Sequence, residues 1–341
     1  VAPRILPSTA GGRALLATAG AGLAVATGAH IWAHQVETHR YTLREYTLRI
    51  LPAGTRPVRV LHISDIHLMP DDERKLAFLR FLASTKPHLV IDTGDNIASA
   101  LSIPRLAQAI GPLLQVPGAF VMGSNDMYAP TRRNPLRYFK RDPRPEGMLD
   151  ESQEETLPTQ ALRDVLGAHG WLDLTNTRGR LALTGLDVEL VGVDDPHLER
   201  DRFPEPAVAT GDETAPGDET ALAGGTGAVG TGADGAAGAE PNPTLRIGVA
   251  HAPYRRVLDA FVADGAELIL AGHTHGGQLR VPGIGALVTN CDLPRSQAKG
   301  LSTWRGVPLH VSGGMGANPY SNYRFANPPE ATLLTLRPPR A

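Results

Sequence analysis

An α/β fold is the class this sequence predicts, on three observations. Apolar runs of strand length alternate with helical patterns from Val58 towards the C-terminus. Several of those runs end in short clusters of Asp, His, Asn and Gly. Finally, 42% of the 341 residues are hydrophobic, enough to build the core of one large domain.

The elements follow in order. Val58 to Ser64 (VRVLHIS) predicts a buried strand bounded by Pro57. Asp71 to Ser84 predicts a helix, because Leu76, Leu79 and Leu82 recur at three-residue spacing behind an acidic first turn. Leu89 to Thr93 and Ala119 to Met122 predict two further strands. A helix over Thr159 to His169 precedes strands at Leu181 to Leu183 and Val188 to Val193. Then come a strand at Arg246 to Ala250, a helix at Tyr254 to Ala263 and a strand at Glu267 to Ala271. Val307 to Ser312 and Ala331 to Leu336 close the set.

Two stretches break the pattern. Between Glu205 and Pro243 the composition collapses into Gly, Ala, Thr, Asp and Glu, and the peptide GDET occurs twice, at Gly211 and Gly217. Such a stretch cannot repay the entropy of ordering, so we expect a disordered insertion inside one domain spanning 41–341. Ahead of it, residues 1–40 form a leader whose run from Ala14 to Ala33 is uncharged and about as long as a bilayer core. The expectation is a single membrane anchor. A cleaved signal peptide, with small residues at Ala24, Ala26 and Ala29, and an Ala-rich helix or leader remain alternatives, giving an exported or cytoplasmic protein.

The bulk charge narrows the function. A formal net charge of -2 gives no basic excess for a nucleic-acid surface. The single cysteine, Cys291, excludes a disulfide framework and a thiolate zinc site. Nothing in the sequence marks an obligate protein partner.

The polar clusters carry the chemistry. They are Asp65-Ile66-His67, Gly94-Asp95, Gly123-Ser124-Asn125-Asp126, His251 and Gly272-His273-Thr274-His275. Each alone reads as a turn or a hydrogen-bonded pair. Together, each at an expected strand end, they read as a metal centre, because so many buried carboxylates and imidazoles without a cation would be costly. Carboxylate oxygen and imidazole nitrogen suit zinc, manganese or iron. Two-metal hydrolases hold their ions roughly 3.5–4 Å apart, so one carboxylate must touch both, and Asp95 is the candidate. Gly94, Gly276 and Gly277 would let the backbone crowd the ions.

These clusters resemble the signature of calcineurin-like metallophosphoesterases, from about Arg59 onward. The runs LHISDIHL, IDTGD, GHTHGGQ and NPPEATLLTL look most like a bacterial branch of membrane-attached or cell-wall phosphodiesterases that includes a lipid-A-pathway pyrophosphatase. The resemblance implies two stacked mixed sheets flanked by helices, an αββα sandwich. It implies a hydrolase of phosphate esters or anhydrides with two divalent metal ions. Asp65, His67, Asp95 and His275 would hold one ion. Asp95, His251, His273 and an amide from the Gly123 run would hold the other, and a water between them would attack phosphorus. The family's usual Gly-Asn-His-Asp run is here Gly-Ser-Asn-Asp. Aligned without a gap, Ser124 takes the amide ligand position; shifted by one, Asn125 keeps it, and an amide oxygen is the better donor. Either way a histidine is absent. Asn125 and Asp126 are the catalytic candidates, with Asp126 able to act as an acid only if its pKa is raised. A substrate with a good leaving group would need no acid.

An anchor would place the substrate at a membrane surface, with a membrane lipid as one candidate. The rival readings are a cytosolic cyclic-nucleotide phosphodiesterase and a non-catalytic metal-binding scaffold. His62 reads as a core or supporting histidine. Asp194-Asp195-Pro196-His197, Tyr128 with the basic loop Thr131 to Arg144, and Asn318, Tyr320 and Arg324 are further candidates to line the pocket.

Overall fold

A computed structural model describes residues 10–131, 156–205 and 242–340. The chain enters a first sheet through β1 (Thr42–Arg49), β2 (Val58–Ile63), β3 (Leu89–Asp92), β4 (Gly118–Phe120) and β5 (Leu172–Asp173). It then builds a second sheet from β6 (Arg178–Leu183), β7 (Leu186–Gly192), β8 (Thr244–Ala250) and β9 (Leu268–Ala271). A small hairpin, β10 (Arg280–Val281) and β11 (Gly285–Ala286), follows. The second sheet is completed by β12 (Gly300–Trp304) and β13 (Val307–Val311), and the chain returns to the first as β14 (Glu330–Arg337). The sheet orders are β1-β14-β2-β3-β4-β5 and β12-β13-β9-β8-β7-β6. In the first, β2 to β5 run parallel and β14 lies antiparallel to β2. In the second, β13, β9, β8 and β7 run parallel between antiparallel edges.

The layering follows from the two-residue period of a strand. In β2, Val58 and Val60 enter one buried cluster with Ile91, Leu190, Ile247 and Leu270 from both sheets, while Leu61 and Ile63 enter another. That second cluster joins the outer face of the first sheet to α2 (Glu73–Leu82), α3 (Ile103–Leu114) and α5 (Thr159–Gly167). On the far side, Ile269 and Val311 pack on Val257, Leu258 and Phe261 of α6 (Arg255–Ala263). The result is the expected sandwich of two mixed sheets between helices. Strands buried on both faces explain why the runs read as continuous apolar stretches rather than alternation.

The expected element centres hold, with ends moved by up to three residues. Several elements were not anticipated, β1 and α3 among them. β1 is a half-buried edge strand carrying three charges, so it lacks the apolar run that marks the others. Helix α3 contains Pro104, Gly111 and Pro112, which mask a helix in sequence. Pro104 falls in the first turn, where its missing N–H costs nothing, and Leu106, Ile110 and Leu113 still bury one face.

The membrane anchor is corrected. Residues 10–31 do form a helix, α1 (Ala10–Ile31), whose 22 residues span about 33 Å. Yet among the described residues no helix is long and apolar enough to cross a membrane. Length is not what fails: Ala, Gly, Thr and His take the places where a spanning helix needs Leu, Ile, Val or Phe. After α1 the chain docks on the domain. The Ala33 carbonyl accepts from Arg324 N–H at 2.8 Å, and Glu37, 3% exposed, accepts from Trp32 Nε1 at 2.8 Å and from the Asn327 N–H. The expected insertion at 205–243 lies almost wholly outside the described residues, as does the basic loop beyond Thr131.

Candidate metal centre

Five parallel strands deliver the candidate ligands from their carboxyl ends, where an open α/β sheet carries its sites. Asp65 and His67 follow β2, Asp95 follows β3 and His251 follows β8. His273 and His275 follow β9, and Asn125 sits in the short helix α4 (Ser124–Met127) after β4. All seven come together. One donor atom from each of Asp65, His67, Asp95 and His275 lies within 4.8 Å of the others. Asp95 Oδ2 is also 3.5 Å from His251 Nε2 and accepts from Asn125 Nδ2 at 2.8 Å. The same oxygen is 3.4 Å from His67 Nε2. One oxygen of Asp95 is thus within 3.5 Å of a side chain from each of the two expected ligand groups. His251 and His273 meet edge-on with ring centroids 5.2 Å apart.

The backbone is bent to make this possible. Asp65, His67, Asp95, His273 and His275 all adopt positive φ, between 43° and 68°. Left-handed backbone is uncommon outside glycine, and such strain concentrates at functional sites. Two glycines let the loops close. A Cβ on Gly123 would lie 2.2 Å from Asp95 Oδ1, and one on Gly272 would lie 2.0 Å from Ser64 Oγ. Gly276 and Gly277, expected to crowd the ions, instead abut Asn327, Lys299, Ala286 and Val288.

Outer hydrogen bonds fix the ring orientations. His251 Nδ1 donates to the Thr93 carbonyl at 2.7 Å, which turns Nε2 towards Asp95. His273 Nε2 donates to the Asn290 carbonyl at 3.2 Å, leaving Nδ1 for the site. Ser64 Oγ and the His273 N–H hold Asp65. Both His67 nitrogens, His251 Nε2 and His275 Nδ1 are buried with no hydrogen-bond partner. Buried nitrogens without hydrogen bonds, beside two carboxylates, make a donor set that a divalent cation would satisfy, and the residues fit the group.

The electrostatics agree. Burial pushes His67 down to about 4 and holds His273 and His275 well below the imidazole range. All three are therefore neutral, the form that binds metal. His251 differs: burial would lower it, but Asp95, then Asp195 and Asp65, carry it well above that range. Burial would raise Asp95, yet His251 and His67 carry it well below the carboxylate range. The carboxylates of Asp95, Asp195 and Asp65 thus draw positive charge to this end of the cluster.

Asp126, expected as a proton donor, is fully buried. Its oxygens accept from the N–H groups of Asp95 (2.8 Å), Asn96 (2.6 Å), Ile97 (3.3 Å) and Gly123 (3.1 Å). It ties the Asp95 loop to the start of α4. His62 bonds His310 (Nδ1 to Nδ1, 2.8 Å) and Thr93 Oγ1 (3.0 Å), behind the carbonyl that orients His251. His310 was not singled out in the sequence. It shares the inter-sheet face with His62, and only the order of the sheets shows that they meet.

Asn125, Ser124, Tyr128, His197 and Asn318 line a cavity of about 120 Å³ over the ligands. His197 packs on His273 with ring centroids 4.5 Å apart, and its Nδ1 lies 3.0 Å from Tyr254 Oη. Tyr320 is 53% exposed and away from this wall. Arg324 is buried and donates to the carbonyls of Gly313, Gly314, Gly316 and Asn327, which shapes the loop beside Asp65 rather than contacting a ligand.

Behind the site, burial pushes Asp92 up to about 8, and its Oδ2 has no partner. The folded chain keeps a proton there that the unfolded chain gives up near pH 4, so this residue costs stability increasingly as pH rises from about 4 to about 8. Asp92→Asn has no proton to lose. In thermal melts of metal-free protein, its Tm should rise relative to the parent more at pH 8 than at pH 5. An equal difference at both would mean that Asp92 is ionised in the fold.

The calcineurin-like phosphoesterase model matches residues 58–277, spanning every cluster above. Two Bacillus subtilis proteins are similar. An uncharacterized protein, YpbG, is 27% identical over 75% of this chain and 72% of its own length. An uncharacterized metallophosphoesterase, YkoQ, is 24% identical over 83% of this chain and 84% of its own. A dimetal phosphatase from Danio rerio matches over 79% of this chain and 91% of its own at 13% identity, with a TM-score of 0.36, too distant to bear on function. From the matched span, with its ligand clusters assembled in one place, the chain belongs to the calcineurin-like phosphoesterase family and is a metal-dependent phosphoester hydrolase.

Proposed function

We propose that the site is dinuclear and hydrolyses phosphodiesters. One observation carries the dinuclear reading: Asp95 Oδ2 lies 3.4 Å from His67 Nε2 and 3.5 Å from His251 Nε2, so one carboxylate oxygen is near a donor of each expected ligand group. Both nitrogens are buried and unpartnered. Asp65, His67, Asp95 and His275 would hold one ion. Asp95, His251, His273 and Asn125 would hold the other, with an amide flip presenting Asn125 Oδ1. Nitrogen and oxygen donors suit manganese, iron or zinc. Two such cations would supply a water of lowered pKa and positive charge against the phosphoryl oxygens.

The chain's own residues do the rest. Asp95 and Asp65 gather charge at one point. The hydrogen bonds to Thr93 and Asn290 hold the His251 and His273 rings in place before substrate arrives. His197 adds to the cavity wall an imidazole that the Gly123 run lacks. The runs LHISDIHL and GHTHGGQ, which resemble those of membrane-attached or cell-wall phosphodiesterases, support the diester.

The test is to load the chain with manganese, count bound metal, and follow bis-p-nitrophenyl phosphate beside a phosphomonoester and an anhydride. Two ions per chain with diester turnover above the others is the expected result. The absent family histidine favours one rival, a metal-binding scaffold, which two bound ions with no turnover on any class would establish.

A further inference from the structure

A second cavity, also of about 120 Å³, opens beside the metal centre. The two share His275, Gln278 and Asn290 as walls, so they are adjoining compartments of one site. Their chemistry differs. Leu279, Leu287, Val288 and the Tyr323 ring make the second cavity predominantly apolar.

The sequence after the two histidines builds this wall. Gly277 has φ +80°, and a Cβ there would lie 2.4 Å from Ala286 Cβ. That close approach brings Leu287 and Val288 against the loop carrying His275. Tyr323 is held from outside by the His34 ring, 4.9 Å away and edge-on. Rim polar groups are engaged elsewhere: Thr274 Oγ1 donates to the Ala298 carbonyl at 2.6 Å, and Gln278 Nε2 donates to the Ser321 carbonyl. A sugar or nucleobase entering here would exchange water for walls that return few hydrogen bonds. A hydrocarbon would lose nothing by entering and would cover Leu279, now 40% exposed.

We propose that this cavity seats one ester substituent of the substrate, and that the substituent is an apolar hydrocarbon group. The assignment rests on the reading of the neighbouring centre as a phosphodiester site. A phosphorus atom bound over the ligands must send its two ester groups in different directions, and the shared wall of His275, Gln278 and Asn290 gives one of them a direct way into the apolar compartment.

The experiment measures binding, so it does not depend on turnover. Alkyl methylphosphonate monoesters, from methyl through butyl to hexyl, are titrated into the manganese-loaded chain by calorimetry. Each methylene up to butyl should tighten binding by roughly twofold to fourfold, with an increasingly negative heat-capacity change. Leu287→Asn and, independently, Leu279→Asn should flatten the series while the metal count stays at the parent value. A hexyl ester binding no more tightly than the methyl ester would overturn the assignment. So would a steep series that both variants leave intact, since the chain would then lie elsewhere. The same alkyl groups on p-nitrophenyl phosphodiesters separate the two readings. A steep binding series with no hydrolysis supports the cavity and refutes the diesterase; hydrolysis with a flat binding series does the reverse.

Discussion

Replacing Asp95 by asparagine should strip the bound metal from both positions and lower diester hydrolysis by at least about a thousandfold, roughly 4 kcal/mol of lost transition-state stabilisation. The substitution keeps the shape and removes the charge. Asp95 lies 2% exposed, and one of its oxygens is 3.4 Å from His67 and 3.5 Å from His251, so neither expected ligand group keeps its shared carboxylate. The Asn125 N–H, which donates to Asp95 Oδ1 at 2.8 Å, still finds an amide oxygen, so the fold should survive. His251→Asn is the contrast. In the proposed ligand sets His251 holds one ion only, so its loss should reduce the count towards one ion per chain. Metal analysis beside circular dichroism reads both variants. An Asp95→Asn protein that folds and still holds two ions would remove Asp95 from the bridging position and the two-ion reading with it.

Much of this was legible in sequence for a physical reason. Parallel strands buried on both faces write themselves as short apolar runs, and the residue after each run falls at the carboxyl edge of the sheet. Asp65, Asp95, His251 and His273 could therefore be placed in one site without knowing the sheet order. What depends on packing between distant segments was not legible. The pairing of His62 with His310 spans 248 positions and needs the two sheets stacked in this way. Asp92 reads as one residue within the expected Leu89 to Thr93 strand, and only burial makes it an acid that keeps its proton. The apolar cavity joins Leu279 to Tyr323 across a hairpin with no periodicity. At the N-terminus, length was read as a bilayer span, whereas apolarity per residue decides whether a helix can enter one, and Ala and Gly supply too little.

Asp126→Ala should be among the most damaging substitutions that touch no ligand atom directly, costing about 3–5 kcal/mol of stability. Asp126 is fully buried, and the N–H groups of Asp95, Asn96, Ile97 and Gly123 all donate to it. Alanine leaves those donors without an acceptor and frees the loop that aims Asp95, so metal affinity should fall together with Tm. The rival role for this residue is a proton donor to the leaving group. Burial, followed by the nearby Asp95 charge, pushes Asp126 up to about 7, the value that an acid working near neutral pH would need. Geometry outranks that match, because an acid must reach the leaving oxygen and these oxygens face the backbone. Asp126→Asn separates the two roles. It keeps an acceptor for part of the N–H cluster but has no acidic proton. As a clamp, Asp126 predicts that this variant loses Tm and metal affinity, and that alkyl and p-nitrophenyl leaving groups slow by the same factor. As an acid, it predicts an unchanged Tm and metal count, with a loss confined to the alkyl leaving group, which departs poorly without a proton. A variant slowed tenfold or more on the alkyl ester alone would return Asp126 to the chemistry and require the loop to open in the loaded enzyme.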